Sequence, residues 1–286
     1  MKRLDKKVGF IGAGNMGEAM INGLIKSGLC EPTRIWASDV REARLRQLKD
    51  MYKINITGKN TEVFDNVDAL VLSVKPQHMD EVLKGLAATF PHTINGVKLI
   101  ISIAAGFPIK RIEGHLYTAL DENSKGLLPI VRVMPNTPAL ALAGMAGMSG
   151  NQYAREADLN DARTILEAIG KVIEFDEEDL DAVTALSGSG PAYIFYIIES
   201  LVEAGAGLGL RPSHALTLTL ETIKGSVRLV EETGEAAASL RKKVTSRGGT
   251  TEAALRVLEN HRVKERLMQA IQAAAQRSKE LSEAFV

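Results

Sequence analysis

Six residues, Gly12-Ala13-Gly14-Asn15-Met16-Gly17, constrain this chain more than any other stretch. They follow an apolar run, Val8-Gly9-Phe10-Ile11, and lead directly into Glu18-Ala19-Met20-Ile21, which reads as the start of a helix. Strand, glycine turn and helix in that order make a dinucleotide-binding turn. Gly12 permits the tight bend, Gly14 lets the main chain approach a pyrophosphate, and Gly17 lets the helix pack closely on the strand. The anion then lies at a helix N-terminus, where N–H groups lack partners and the dipole is favourable. Glycine turns also join strands to helices for steric reasons alone, so the pattern depends on its context.

The context is alternation. Short runs rich in branched residues, at 8–11, 34–37, 69–74, 99–103, 130–134 and 172–175, read as strands. Between them, 18–27, 41–52, 78–89 and 157–169 space their apolar residues three or four apart, as amphipathic helices do. This is the rhythm of βαβ units, and it predicts a Rossmann-type domain over residues 1–176, with a parallel sheet covered by helices on both faces. After Glu177 the strand-like runs stop and Ala, Leu, Glu and Lys dominate, which predicts an all-helical domain over 177–286. Residues 182–208 form its first long segment, interrupted at Ser187-Gly188-Ser189-Gly190-Pro191, where Pro191 should begin or kink a helix. The next stretch, 193–206, is apolar around most of its circumference, and such a helix is covered on most sides; a subunit interface is expected there.

Charge and cysteine content narrow the partners. Lys plus Arg and Asp plus Glu both number 35, so no net field draws the chain to nucleic acid or an anionic membrane, and neither is an expected partner. Cys30 is the single cysteine, which rules out an internal disulfide. No apolar run reaches the roughly 18 residues of a membrane span, and the N-terminus enters a strand without a long apolar leader region, so a cytoplasmic location is expected.

The second strand should carry the residue that reads the cofactor ribose. Asp39 is placed to accept a bond from the 2′-OH of NAD, or else to cap the helix that follows. Ser38, with Arg41 and Arg44 near enough to bind a 2′-phosphate, argues the other way. NADP(H) is favoured and NAD(H) is the alternative. Asn60 is a further candidate for the cofactor site. Ser73, Val74, Lys75 and Pro76, and Ala104 with Ala105, fall at the C-terminal ends of strands, the edge where open α/β sheets bind ligands.

Four stretches then occur together: Ser73-Val74-Lys75-Pro76-Gln77, Val133-Met134-Pro135-Asn136-Thr137-Pro138, Leu186-Ser187-Gly188-Ser189-Gly190-Pro191-Ala192-Tyr193 and Val244-Thr245-Ser246-Arg247-Gly248-Gly249-Thr250-Thr251. With the glycine turn they resemble the pyrroline-5-carboxylate reductases, from the first strand to about Leu258. The resemblance implies NAD(P)H-dependent reduction of 1-pyrroline-5-carboxylate to L-proline, the last step of proline biosynthesis. It also implies a homodimer interlocked through the helical domain, assembled into a larger ring such as a decamer. By the same resemblance Thr251 stands beside the imine nitrogen as hydrogen-bond donor, and Met134 and Asn136 belong to the cofactor side.

Read for their chemistry, the residues suit that reaction. The nicotinamide brings the hydride, so the protein has to hold the carboxylate, orient the C=N carbon and help protonate the nitrogen; no metal is expected. Ser246, Gly248, Gly249, Thr250 and Thr251 offer hydroxyls and exposed N–H groups at a helix start, a compact anion site. Thr251 also reads as an N-cap for a helix over 252–258, and the two roles are compatible. Two residues depart from the family: Arg247 where proline is usual, and Lys242 where an acid is common. Two other readings stay open. A hydroxyacid dehydrogenase would place Asn four residues after a helical Lys, whereas Lys224 is followed by Arg228. A nucleotide-binding sensor without catalysis would draw its support from Arg247 and Lys242.

Overall fold

The computed structural model describes residues 4–89, 94 and 96–284. The first strand, β1 (Val8–Ile11), is an interior strand of an eight-stranded sheet. The others are β2 (Ile35–Ser38), β3 (Asn55–Thr57), β4 (Ala69–Leu72), β5 (Leu99–Ser102), β6 (Ile130–Met134), β7 (Gly144–Gly150) and β8 (Gly170–Glu174). Their order is β3-β2-β1-β4-β5-β6-β7-β8. All pairings are parallel except β6 with β7.

The strands are continuous apolar runs because both faces are covered. Along β1, Val8 and Phe10 join one core cluster and Ile11 the other. In β4, Ala69 and Val71 share the first cluster while Leu70 and Leu72 share the second. The first cluster is closed by α1 (Asn15–Lys26), α2 (Glu42–Tyr52) and α7 (Glu156–Glu167) through Met20, Ile21, Leu24, Leu45, Leu48, Ile165 and Leu166. The second is closed by α3 (Asn60–Asn66), α4 (Pro76–Ala87) and α5 (Ile109–Leu116) through Val63, Phe64, Met79, Leu83 and Ile112. Each of these side chains is at most 3% exposed, and fully burying one is worth about 1.5–3 kcal/mol.

Five elements within residues 1–176 were not expected from the sequence: β3, α3, α5, α6 (Glu122–Lys125) and β7. In β7, Gly-Met-Ala-Gly-Met-Ser-Gly has no β-branched residue, and its glycines are set by close packing. A Cβ on Gly147 would lie 2.8 Å from Val183 Cγ1, and one on Gly150 2.7 Å from Leu159 Cδ2. The expected interruption at 187–191 is also milder than a break. A short α6 (Glu122–Lys125) precedes β6; beyond β8, α8 (Leu180–Val183) passes into one wide π turn over Thr184–Gly188, and α9 (Gly190–Gly207) starts after Ser189 alone.

Contacts divide the chain elsewhere than the change in composition does. One compact unit holds residues up to Ser189 together with the C-terminal segment from Ala274, and the other holds Gly190–Ala273. The second unit is helical: α9, α10 (Pro212–Thr233), α11 (Ala237–Lys243), α12 (Thr250–Asn260) and the first half of α13 (Val263–Glu283). α9 and α10 form a hairpin in which a Cβ on Gly205 would stand 2.9 Å from Ala215 Cβ. Not one residue of α9 is buried within the chain, and Phe195 and Tyr196 are 63% and 71% exposed. Among the described residues no helix is long and apolar enough to cross a membrane.

Candidate functional site

The glycine turn is built from its neighbours. Gly12 has φ +91°, and a Cβ there would come within 2.8 Å of the Ser73 carbonyl and 2.9 Å of Val74 Cγ1. Ser73 fixes the turn by donating from Oγ to the Gly12 carbonyl at 2.5 Å. Gly17 sits above it, where a Cβ would meet the Gly12 carbonyl oxygen at 2.9 Å. Gly14 is different. It is the N-cap of α1 with φ −71°, and a Cβ on it would meet no protein atom within 4 Å. Protein packing therefore does not require glycine here, whereas a phosphate brought against the main chain does. Asn15, Met16 and Gly17 open the helix, and their N–H groups lack acceptors within it. α1 starts three residues earlier than the sequence pattern placed it, inside the turn itself.

At the end of β2, Asp39 accepts from the Ala13 N–H at 2.9 Å and from the backbone and Nε of Arg41 at 2.9 and 3.0 Å. Burial raises its pKa, and the hydrogen bonds from Arg41 and Ala13 overcome that, so the carboxyl is held below its ordinary value. Asp39 is not the helix cap; that position belongs to Arg41. Arg41 stands 61% exposed along its side chain. Ser38 is buried, and its hydroxyl donates to Asn60 Oδ1 at 2.8 Å, so these two candidates meet each other. Arg44, read from sequence as a phosphate neighbour, turns to the glycine turn instead and donates from Nε to the Ala13 carbonyl at 2.8 Å.

Beyond β4, Lys75 is the N-cap of α4, with Pro76 as the first helical residue. At the end of β5, Ala104 is buried and Ala105 exposed. At the end of β6, Asn136 accepts from the Met145 N–H at 2.9 Å and donates to the Ser187 carbonyl and hydroxyl, both at 3.3 Å. Met134 lies against Gly188, where a Cβ would come within 2.4 Å of its terminal methyl. Two of the recurring motifs thus meet within one unit, at the π turn; such turns are frequent at functional sites. One ionic contact there had no signal in the sequence. Arg132 Nη1 donates to Glu177 Oε1 at 2.9 Å, and the same oxygen accepts from the Ile109 N–H at 2.7 Å, tying β6, α5 and the segment after β8 together.

In the helical unit, Gly248 has φ +72°, and its N–H donates to Glu252 Oε2 at 2.7 Å. Gly249 is the N-cap of α12 and makes no side-chain cap bond. Thr250 and Thr251 are the first two residues of the helix, two positions ahead of the expected start. The capping role read for Thr251 is therefore corrected: it lies inside the first turn. Thr250, Thr251 and Glu252 carry N–H groups with no acceptor inside the helix, beside two hydroxyls. Ser246, Arg247 and Gly248 are exposed, and Thr251 is half-buried. Among the described residues no group of three or more His, Cys, Asp or Glu is placed to hold a metal ion.

Comparison with known proteins bears on both units. Residues 177–281 match the family described as pyrroline-5-carboxylate reductase dimerisation, and residues 7–106 match NADP oxidoreductase coenzyme F420-dependent. The pyrroline-5-carboxylate reductase of Methanosarcina acetivorans is 39% identical over 97% of this chain and 98% of its own. Among solved structures, the pyrroline-5-carboxylate reductase of Coxiella burnetii is 38% identical, covering 97% of this chain and 98% of its own, with a TM-score of 0.86. Plasmodium falciparum pyrroline carboxylate reductase with NADP bound is 30% identical, covering 98% and 100%, with a TM-score of 0.84. With identity of this extent along almost the whole chain, the protein belongs to the pyrroline-5-carboxylate reductase family.

Proposed function

We propose that this chain reduces 1-pyrroline-5-carboxylate to L-proline with NAD(P)H, and that NADPH is the better cofactor. The observation that carries the reading is a shared one. A glycine turn whose Gly14 leaves open the space beside the main chain occurs in one chain with a Gly-Gly-Thr-Thr helix start, in a sequence 39% identical to a reductase of that name. The residues present fit the cofactor: Gly12, Ala13, Gly14, Asn15, Met16 and Gly17 would hold the pyrophosphate. Ser73, Val74, Lys75, Pro76, Ala104, Ala105, Met134 and Asn136 would line the nicotinamide side. Ser38, Asp39, Arg41 and Asn60 would form the adenosine end. Arg41 supports the preference for NADPH, because an exposed guanidinium that already neutralises Asp39 suits a 2′-phosphate. When bound, the nicotinamide supplies the hydride that reduces a C=N carbon.

The chain's own part is binding and protonation. Ser246, Gly248, Gly249 and Thr250 hold the substrate carboxylate on N–H groups and hydroxyls at the start of α12. Thr251, the catalytic residue of this proposal, presents its hydroxyl as donor to the ring nitrogen, which gains basicity as the double bond is lost. Residues 1–176 serve as the nucleotide domain and 177–286 as the substrate and dimerisation domain. The apolar and uncovered α9 is the natural dimer face, and assembly of dimers into a ring such as a decamer extends the same proposal. A cytoplasmic location is proposed with it. The test is NADPH oxidation with pyrroline-5-carboxylate by purified protein; turnover no greater than that of Thr251→Ala would sink the reading.

A further inference from the structure

Two side chains hold the main chain on either side of Ala13, one at each of its flanking peptide groups. Asp39 takes its N–H, and Arg44 Nε donates to its carbonyl at 2.8 Å. The Arg44 guanidinium also pairs with Glu18 and donates from Nη1 to Gln47 Oε1 at 2.9 Å. Glu18 lies in the first turn of α1, and its other oxygen accepts from the Tyr52 hydroxyl at 3.1 Å. Arg44 and Glu18 are only 14% and 26% exposed along their side chains, so water screens the pair poorly. The sequence before and after the turn shows why the pair matters. A carboxylate in the first turn of a helix is comfortable with the dipole, yet it stands beside the N–H groups proposed to bind two phosphates, where it repels them.

We propose that Arg44 is a positioning residue for the cofactor: it fixes the Ala13 carbonyl and cancels the Glu18 charge, so that the glycine turn accepts a pyrophosphate. The inference rests on NADPH binding at this turn. Arg44 touches no reacting atom, and its effect belongs in cofactor affinity rather than in the chemical step. Tyr52 and Gln47 hold the pair in place from α2.

The test is a double-mutant cycle on the full-length protein, read as the NADPH dissociation constant from the fluorescence of bound reduced nicotinamide. Arg44→Met should weaken binding by about tenfold or more, the scale of a lost charge-assisted contact. With Glu18→Gln measured alone as the fourth corner, the double variant Arg44→Met/Glu18→Gln should recover most of that loss. At saturating NADPH the turnover of Arg44→Met should stay within about threefold of wild type, so that KM rises and kcat does not. Arg44→Lys keeps the charge that cancels Glu18 but not the fork that reaches three partners at once, so it should bind between wild type and Arg44→Met, less than about tenfold weaker than wild type. Arg44→Met binding like wild type, or a double variant no better than Arg44→Met, would overturn the proposal. So would an Arg44→Lys variant that binds about tenfold or more weaker than wild type, and this comparison, made against wild type, stands even if the Met variant folds poorly. Wild type that fails to bind NADPH at all would instead overturn the reading of the glycine turn.

Discussion

Gly14→Ala separates what the fold needs from what the cofactor needs. At Gly14 the backbone has φ −71° and ψ −168°, which alanine adopts without strain, and the added Cβ meets no protein atom within 4 Å. Two small effects on folding oppose each other. Alanine lowers the entropy of the unfolded chain, worth about 0.4–1 kcal/mol, and it is a poorer N-cap than glycine by a similar amount. The net change in stability is therefore within about 1 kcal/mol. The methyl group nevertheless enters the open space at the N-cap of α1, where the pyrophosphate is proposed to lie. Overpacking of one carbon at a tight contact costs roughly 1–3 kcal/mol, which corresponds to about 5- to 150-fold in affinity. Gly12→Ala is the counterpart, because φ +91° and a Cβ 2.8 Å from the Ser73 carbonyl strain the fold itself, by roughly 2–5 kcal/mol. The assay is thermal unfolding and NADPH titration of both variants. Gly14→Ala that keeps its Tm and loses NADPH is the expected result; NADPH affinity within about twofold of wild type would refute the reasoning.

Three further outcomes are expected. Thr251→Ala should lower kcat by roughly 10- to 100-fold, the worth of a hydrogen bond to a group gaining charge, with Thr251→Ser recovering much of it and Tm unmoved, since Thr251 makes no cap bond. Arg41→Ala leaves Asp39 without its side-chain partner at the adenosine end, so the ratio of kcat/KM for NADPH over NADH should fall about tenfold; an unchanged ratio would remove Arg41 from the cofactor site. The third concerns pH. Asp80 accepts from Arg111 Nε and Nη2 at 2.9 and 2.6 Å and lies 2.8 Å from His115 Nε2, and the hydrogen bond from Arg111 first of all lowers its pKa to about 2, against a smaller opposing effect of burial. A carboxylate depressed on folding stabilises above its unfolded pKa, near 3.9, and loses that contribution as pH falls toward about 2. The Tm difference between wild type and Asp80→Asn should thus shrink as pH falls from about 5 toward 2; a difference that grew over that range would contradict the assignment.

Strands β1, β2, β4, β5 and β6 illustrate what patterning can reveal. Leu70 and Leu72 belong to one core and Ala69 and Val71 to the other, so burial on both faces writes itself into the sequence as an unbroken apolar run. β7 was illegible for the opposite reason: close packing by Val183 and Leu159 demands glycine, and glycine carries no strand signal. β3 has three residues and a half-buried pattern, too short for any periodicity to register. In the site, the residue types at Gly12–Gly17 and Gly248–Thr251 were readable because the proposed binding is by main-chain N–H groups, which only small residues leave exposed. Side-chain partnerships were not. Asn60 with Ser38, Asn136 with Ser187 and Arg44 with Glu18 are 22, 51 and 26 positions apart, and only the fold decides which of several polar groups they reach. Arg44 shows the consequence: its place near the second strand is visible in sequence, and its direction is set by Ala13 and Glu18.

The central claim, that this chain delivers reducing equivalents to the C=N carbon of a carboxylated five-membered imine, is tested most directly by product analysis. Purified protein is incubated with pyrroline-5-carboxylate and NADPH carrying deuterium at its transferable position, and the product is examined by mass and by NMR. The account predicts L-proline with one deuterium, on the ring carbon that was doubly bonded to nitrogen, in amount equal to the NADPH consumed. Proline without deuterium, or NADPH and NADH both left unconsumed, would contradict it.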